Sequence, residues 1–158
     1  MPQTIHQRWS LRLSPVCVYL TCIALMFVCS VLFPALTFAI PARIFLATFF
    51  LVAGALLIIA AHHRFHQAQT TANPHTPEHS SQIVISGVYR FSRNPMYLGG
   101  ALITLATALF FAHALAFLFV ITFVVYLNEF QIKPEETVLR EHFGAGFIDY
   151  CARVRRWI

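Results

Sequence analysis

Asn94–Asn128 reads NPMYLGGALITLATALFFAHALAFLFVITFVVYLN, 35 residues without a single Asp, Glu, Lys or Arg. A run of that length belongs in a bilayer rather than in water. As one helix it would measure about 52 Å at ~1.5 Å per residue, against a hydrocarbon core of ~30 Å. A hairpin turning near Phe111-Ala112-His113-Ala114 resolves the excess, although its two arms, about 16 residues each, are short for full spans. At the ends of the run stand a cationic cluster, Arg93-Asn94-Pro95-Met96-Tyr97-Leu98-Gly99, and an anionic pair, Glu135-Glu136. A hairpin brings the two clusters to the same side of the membrane.

The rest of the chain agrees with a bilayer setting. Residues are 58% hydrophobic and 11% charged, against roughly 25% charged in a soluble domain, so a water-soluble globule would lack polar surface. Two further charge-free runs, Leu13–Ala42 and Ile44–His63, each reach the length of a spanning helix. The expected fold is therefore all-α and integral to the membrane. It has about four transmembrane helices, the last two forming a hairpin, followed by C-terminal amphipathic interfacial helices. Three segments follow from the composition: a two-helix membrane segment over 1–66, a polar loop over 67–82 rich in Ser, Thr, Asn and Pro, and a third region over 83–158 that carries the motifs.

Ten of the eleven Lys and Arg residues fall on one side of this arrangement, and only Arg43 falls on the other. The positive-inside rule puts both termini and the central loop in the cytoplasm. The basic residues, spread along the interfaces for a net charge of +5, suit anionic lipid headgroups, and no basic-aromatic pattern points to nucleic acid. The apolar segment Leu13–Ala35 exceeds the usual ~7 to 15 residues of a signal peptide, which favours a retained span, although Thr37-Phe38-Ala39 has the form of a cleavage site. Cys17, Cys22 and Cys29 lie within the first span and Cys151 near the C-terminus, which reads as buried small residues rather than a disulfide framework.

The chemistry of the two clusters is explicit. Asn94 is a good N-cap and Pro95 suits the first helical position, so a helix should start there with backbone N–H groups open to an anion. Arg93 adds a charge able to grip a carboxylate or phosphate in bidentate fashion. Gly99 and Gly100, costly by about 1 kcal/mol each in a helix, imply a close approach to the backbone. Glu135 and Glu136 supply negative charge for an ammonium group. A ligand with a carboxylate, an amine and a flat aromatic part satisfies all of these, and S-adenosylmethionine has each of them. Plainer roles exist: Arg93 as a topology signal, Asn94-Pro95 as a simple cap, the glutamates as partners of a helix dipole, and the glycines as a helix-packing surface, the commoner use of glycine in membranes. Beyond Pro134, Val138, Leu139 and Phe143 alternate with charged residues, and Phe147, Tyr150, Cys151 and Val154 oppose Asp149, Arg153 and Arg156. These read as two amphipathic helices on the membrane surface, broken at Gly144 and Gly146.

Gly87-Val88-Tyr89-Arg90, Arg93-Asn94-Pro95-Met96-Tyr97-Leu98-Gly99 and Glu135-Glu136, with Leu139, Phe143-Gly144, Tyr150 and Val154, resemble the C-terminal half of the isoprenylcysteine carboxyl methyltransferase and phospholipid methyltransferase family. The resemblance covers residues 84–158. It implies a membrane methyltransferase that encloses S-adenosylmethionine between the last two membrane helices and the C-terminal segment. Arg93, Asn94, Pro95, Tyr97, Gly99, Glu135 and Glu136 would line the cofactor site. Asn94 stands where the family usually has histidine, so a titratable role there is excluded, while capping and hydrogen bonding are retained. The first two helices carry no matching motif.

Methyl transfer from a sulfonium needs an aligned nucleophile and a dry pocket more than it needs acid-base chemistry. A carboxylate acceptor, as in O-methylation of an isoprenylcysteine, arrives ionised. A phospholipid amine must lose a proton, for which Glu129 is the nearest catalytic candidate by sequence, its plainer role being to mark the helix end. A lipophilic acceptor would enter from the bilayer. His62, His63 and His66, with His75 and His79, lack a completing Cys or carboxylate cluster, so no metal site is expected. Two other classes fit the outline less well: a sterol-reductase-type enzyme using a nicotinamide, disfavoured by Glu135-Glu136 beside the Arg93 motif, and a non-enzymatic four-helix scaffold or transporter subunit, which would need charges within the spans.

Overall fold

The computed structural model describes residues 14–68 and 83–158; Arg8, Arg12, His75 and His79 lie outside the described residues. Four long apolar helices form the body: α1 (Pro15–Leu32), α2 (Arg43–Gln67), α3 (Pro95–Phe111) and α4 (Ala114–Tyr126). Beyond them α5 (Lys133–Phe143) and α6 (Ala145–Arg153) complete the order, with 3-10 turns at Pro34–Leu36 and Gly87–Arg90. No strand occurs among the described residues apart from one bridge between Thr37 and His113.

Each helix start follows from local chemistry. Ser14 Oγ accepts from the Val16 N–H at 3.3 Å, and Pro15 takes the first helical position of α1. Pro95 does the same for α3. The hairpin turns where the sequence places it: Ala112 adopts φ 50°, and His113 opens α4 in an extended conformation. His113 is fully buried, its Nε2 lies 2.9 Å from the Phe33 carbonyl, and the Phe38 N–H donates to the Ala112 carbonyl at 2.9 Å. The α1–α2 connection is thereby tied to the α3–α4 turn.

Lipid gives helices no hydrophobic reason to associate, so close packing through small residues must hold the bundle. The buried residues of α2 are Ala47, Gly54 and Ala61, a seven-residue spacing that makes one seam of a left-handed helix pair. That seam meets α3 at Gly99. A Cβ on Gly54 would lie 2.6 Å from the Gly99 carbonyl oxygen, and one on Gly99 would lie 2.7 Å from the Gly54 oxygen. The backbones touch there. On the other side, Cys22 of α1 packs with Phe123 and Leu127, joined by Tyr97 and Trp157. The outward surface is apolar, with Leu20, Leu32, Phe45, Leu56, Ile59 and Ile121 all exposed.

One expectation is corrected. The sequence places a break after α4 and a new surface helix at Pro134, whereas Ala114–Phe143 is one 30-residue helix. The join is a π-helical turn over Leu127–Ile132. Proline lacks an N–H and its ring collides with the carbonyl four residues back, so a wider turn just before Pro134 accommodates it within a continuous helical run. At ~1.5 Å per residue the helix is about 45 Å long and exceeds the ~30 Å hydrocarbon core. Its charged end, α5, therefore extends beyond that thickness. Gly144, at φ 53° and ψ −128°, ends α5 and redirects the chain into α6, in a backbone conformation that favours glycine. Phe147 and Tyr150 of α6 are buried, as the amphipathic pattern predicts. The α1, α2 and α4–α5 helices are each long and apolar enough to cross a membrane, and α3 is a shorter apolar helix of 17 residues.

Candidate active site

The start of α3 and the start of α5 meet at one end of the bundle. Arg93 Nη2 donates to Glu136 Oε1 at 2.8 Å, joining the cationic and anionic clusters across 43 residues of chain. Tyr97, one turn into α3, donates its hydroxyl to Glu135 Oε1 at 2.7 Å. Of the seven residues singled out as cofactor ligands, Arg93, Asn94 and Glu136 sit within one hydrogen-bond network, and Tyr97 and Glu135 form a separate pair beside it. Pro95 is fully buried beneath it.

Gly99 belongs to a different contact. Its missing side chain is accounted for by α2, since a Cβ there would meet Ile58 Cγ1 at 2.6 Å as well as the Gly54 oxygen. Gly100 is roomier, its nearest neighbour being the Phe123 ring at 3.7 Å. Asn94 occupies the N-cap position, but its side chain makes no capping bond. Its Nδ2 donates instead to the Arg156 carbonyl at 3.0 Å.

That carbonyl belongs to the part of the site the sequence did not announce. Val154–Ile158 crosses the start of α3 as a strap. The Arg93 N–H donates to the Arg155 carbonyl at 3.0 Å, and Arg93 Nη1 donates to the Cys151 and Val154 carbonyls at 3.0 and 2.9 Å. Ser92 Oγ donates to the Arg156 carbonyl at 3.4 Å. Arg156 then closes on Glu136, with Nη2 to Oε2 at 2.6 Å and Nε to Oε1 at 3.1 Å, while its Nη1 donates to Asn128 Oδ1 at 3.2 Å. Trp157 packs on the Cys22–Phe123–Leu127 cluster, so the strap is anchored on both sides of Arg156. The amphipathic pattern assigns Arg156 to a polar face; the signal that points to its role is a third cation near a pair of carboxylates needing more than one partner.

The two glutamates experience opposite environments. Burial works to raise the Glu136 carboxyl, and the hydrogen bonds and charges of Arg156 and Arg93 outweigh it, holding it below the usual carboxylate range. Glu135 has no cationic partner among the described residues. Burial pushes its carboxyl up to about 8; the Tyr97 hydrogen bond opposes the rise and the Glu136 charge adds to it. Arg93 Nε is buried and has no hydrogen-bond partner among the described residues. The site thus offers one open donor and one carboxyl without a countercharge.

Glu129, the sequence candidate for a base, stands at the margin. Its exposed carboxylate pairs with Lys133 Nζ at 2.6 Å and accepts from Asn128 Nδ2 at 2.8 Å, and Asn128 is its hydrogen-bonded link to Arg156. His62, His63 and His66 are exposed at the end of α2, and no group of three or more His, Cys, Asp or Glu able to hold a metal occurs among the described residues. The four cysteines are free.

The profile of the phospholipid methyltransferase family matches residues 42–146. The chain belongs to that family. The match reaches back through α2, where the sequence carries no legible motif, and ends within the first residues of α6, short of the strap. An uncharacterized protein of Haemophilus influenzae is 46% identical over 63 residues, which are 40% of this chain and all of that protein. No solved structure matches the chain. Membership accords with the methyltransferase reading of the clusters rather than with the reductase or scaffold alternatives.

Proposed function

We propose that this membrane protein transfers a methyl group from S-adenosylmethionine to a lipophilic acceptor at the cytoplasmic boundary of the bilayer. The observation that carries the reading is the pair of unmet groups at the meeting of α3 and α5. Among the described residues Arg93 Nε is a buried donor with no acceptor, and Glu135 is a carboxyl with no cation. The amino-acid part of the cofactor, a carboxylate and an ammonium, supplies the complement of both. When bound, the cofactor supplies a methyl group on a positively charged sulfur, an electrophile that needs no activation by the protein.

What the chain contributes is binding, orientation and dryness. The Tyr97 ring joins the apolar cluster formed with Cys22, Phe123 and Leu127, while its hydroxyl holds Glu135. This places the polar site directly against the membrane-embedded packing. An acceptor dissolved in the bilayer, whether a carboxylate on an isoprenylcysteine-like molecule or an amine on a phospholipid, can therefore approach sideways.

Two measurements test this. Purified protein in detergent should bind S-adenosylhomocysteine in calorimetric titration. Label from methyl-labelled S-adenosylmethionine should pass to the organic phase in the presence of total membrane lipid or small prenylated thiols. Label recovered only in water-soluble products would end the lateral-entry reading, and absence of both binding and turnover would end the assignment. The orientation has its own test: reporter fusions at residue 75 and at the C-terminus should both report cytoplasm, and an external C-terminus would reverse the topology.

A further inference from the structure

Adjacent residues on a helix point about 100° apart, and Glu135 and Glu136 accordingly take different partners, Tyr97 for the first and Arg93 and Arg156 for the second. Both oxygens of Glu136 are taken by guanidinium groups, Arg93 at 2.8 Å and Arg156 at 2.6 and 3.1 Å, and its side chain is 8% exposed. A ligand cation reaching Glu136 would have to break charge-assisted bonds already made. Glu135 makes one neutral hydrogen bond, to Tyr97, and no ion pair among the described residues. Its carboxyl is the one left without a cation among the described residues.

We infer that the two glutamates divide the work: Glu135 receives the ammonium of the cofactor, whereas Glu136 is a positioning residue through which Arg93 and Arg156 lock the C-terminal strap over the start of α3. The inference rests on the cofactor reading above and assigns Arg156 a role within it. Arg156 is fixed twice over, by its carbonyl to Asn94 and by its guanidinium to Glu136 and Asn128. It lies beyond the span matched by the family profile, so its part in the site is read from this chain's own geometry. Two strap carbonyls, those of Val154 and Arg155, hold Arg93 together with the Cys151 carbonyl of α6. Loosening Arg156 should therefore disturb the whole site, and removing the Glu135 charge should disturb only recognition of the ammonium.

Two ligands separate these effects in calorimetric titrations of the full chain in detergent. S-adenosylhomocysteine carries the amino-acid part, and methylthioadenosine shares the adenosine and thioether but lacks it. Glu135→Gln should weaken S-adenosylhomocysteine about tenfold or more, the loss of a charge-assisted contact, and leave methylthioadenosine within about twofold, so the preference between them collapses. Glu136→Gln and Arg156→Gln should weaken both ligands in parallel and keep the preference. Arg156→Lys, which restores the charge but not the fork, should recover part of the loss for both. A collapse of the preference in Glu136→Gln, with Glu135→Gln unchanged, would overturn the division of roles. Wild-type affinity in Arg156→Gln would overturn the positioning role, and this variant decides the matter if Glu136→Gln does not fold. A wild-type protein that binds methylthioadenosine but not S-adenosylhomocysteine would sink the inference, and one that binds neither would sink the cofactor reading as well.

Discussion

Arg93→Ala should lower the unfolding free energy by about 3 to 5 kcal/mol, the range for breaking one side of a buried ion pair. The side chains of Arg93 and Glu136 are 13% and 8% exposed, so solvent does little to screen or replace the contact. The variant also leaves the Cys151 and Val154 carbonyls without their guanidinium donor. Arg156 remains on Glu136 and softens the loss, which favours the lower end of the range. The strap should then loosen, because the Val154 carbonyl loses its guanidinium donor and only the backbone N–H at position 93 still reaches the Arg155 carbonyl. Thermal denaturation in detergent reads the first effect, and tryptic release of the C-terminal residues after Arg153, Arg155 or Arg156 reads the second. Arg93→Lys keeps a charge but cannot reach two carbonyls and a carboxylate from one planar fork, so it should fall between wild type and alanine. An unchanged melting temperature together with an unchanged tryptic pattern would show that the strap is held by other contacts.

The contrast between Arg93 and Arg156 shows how far sequence could go here. Charge-free length and the positions of Lys and Arg suffice for four apolar helices, because each signal is carried within a single run of residues. The hairpin at Ala112–His113 is legible for the same reason, since the run is too long to be one span. The meeting of Arg93 with Glu136 follows once the hairpin is granted. Arg156 is different. Its side chain satisfies Glu136 only because Gly144 turns the chain back and Asn94 fixes the strap, and neither step leaves a periodic trace. The helix through Pro134 was missed because proline reads as a boundary unless the preceding turn widens. Asn94 has the residue type of a cap, but its Nδ2 donates to the strap carbonyl and its side chain makes no capping bond.

Gly99 offers the sharpest separation between a packing role and a cofactor role. Gly99→Ala should destabilise the protein by roughly 1 to 3 kcal/mol, the usual cost of overpacking, and more if the backbone cannot yield. A methyl there would stand 2.7 Å from the Gly54 carbonyl oxygen and 2.6 Å from Ile58 Cγ1. Ile58 can turn away, but Gly54 is backbone in the middle of α2, so relief requires the two helices to part. Gly54→Ala meets the same obstacle from the other side, at 2.6 Å from the Gly99 oxygen, and should cost a similar amount. Gly100→Ala is the control, because its Cβ would rest 3.7 Å from the Phe123 ring. Ordinary contact there, together with a gain of up to about 1 kcal/mol in helix propensity, predicts a neutral or stabilising change. The opposite signs at neighbouring glycines are measurable by thermal denaturation in detergent. If Gly99→Ala instead melted like wild type and lost affinity for S-adenosylhomocysteine, the close approach at Gly99 would belong to the cofactor rather than to α2.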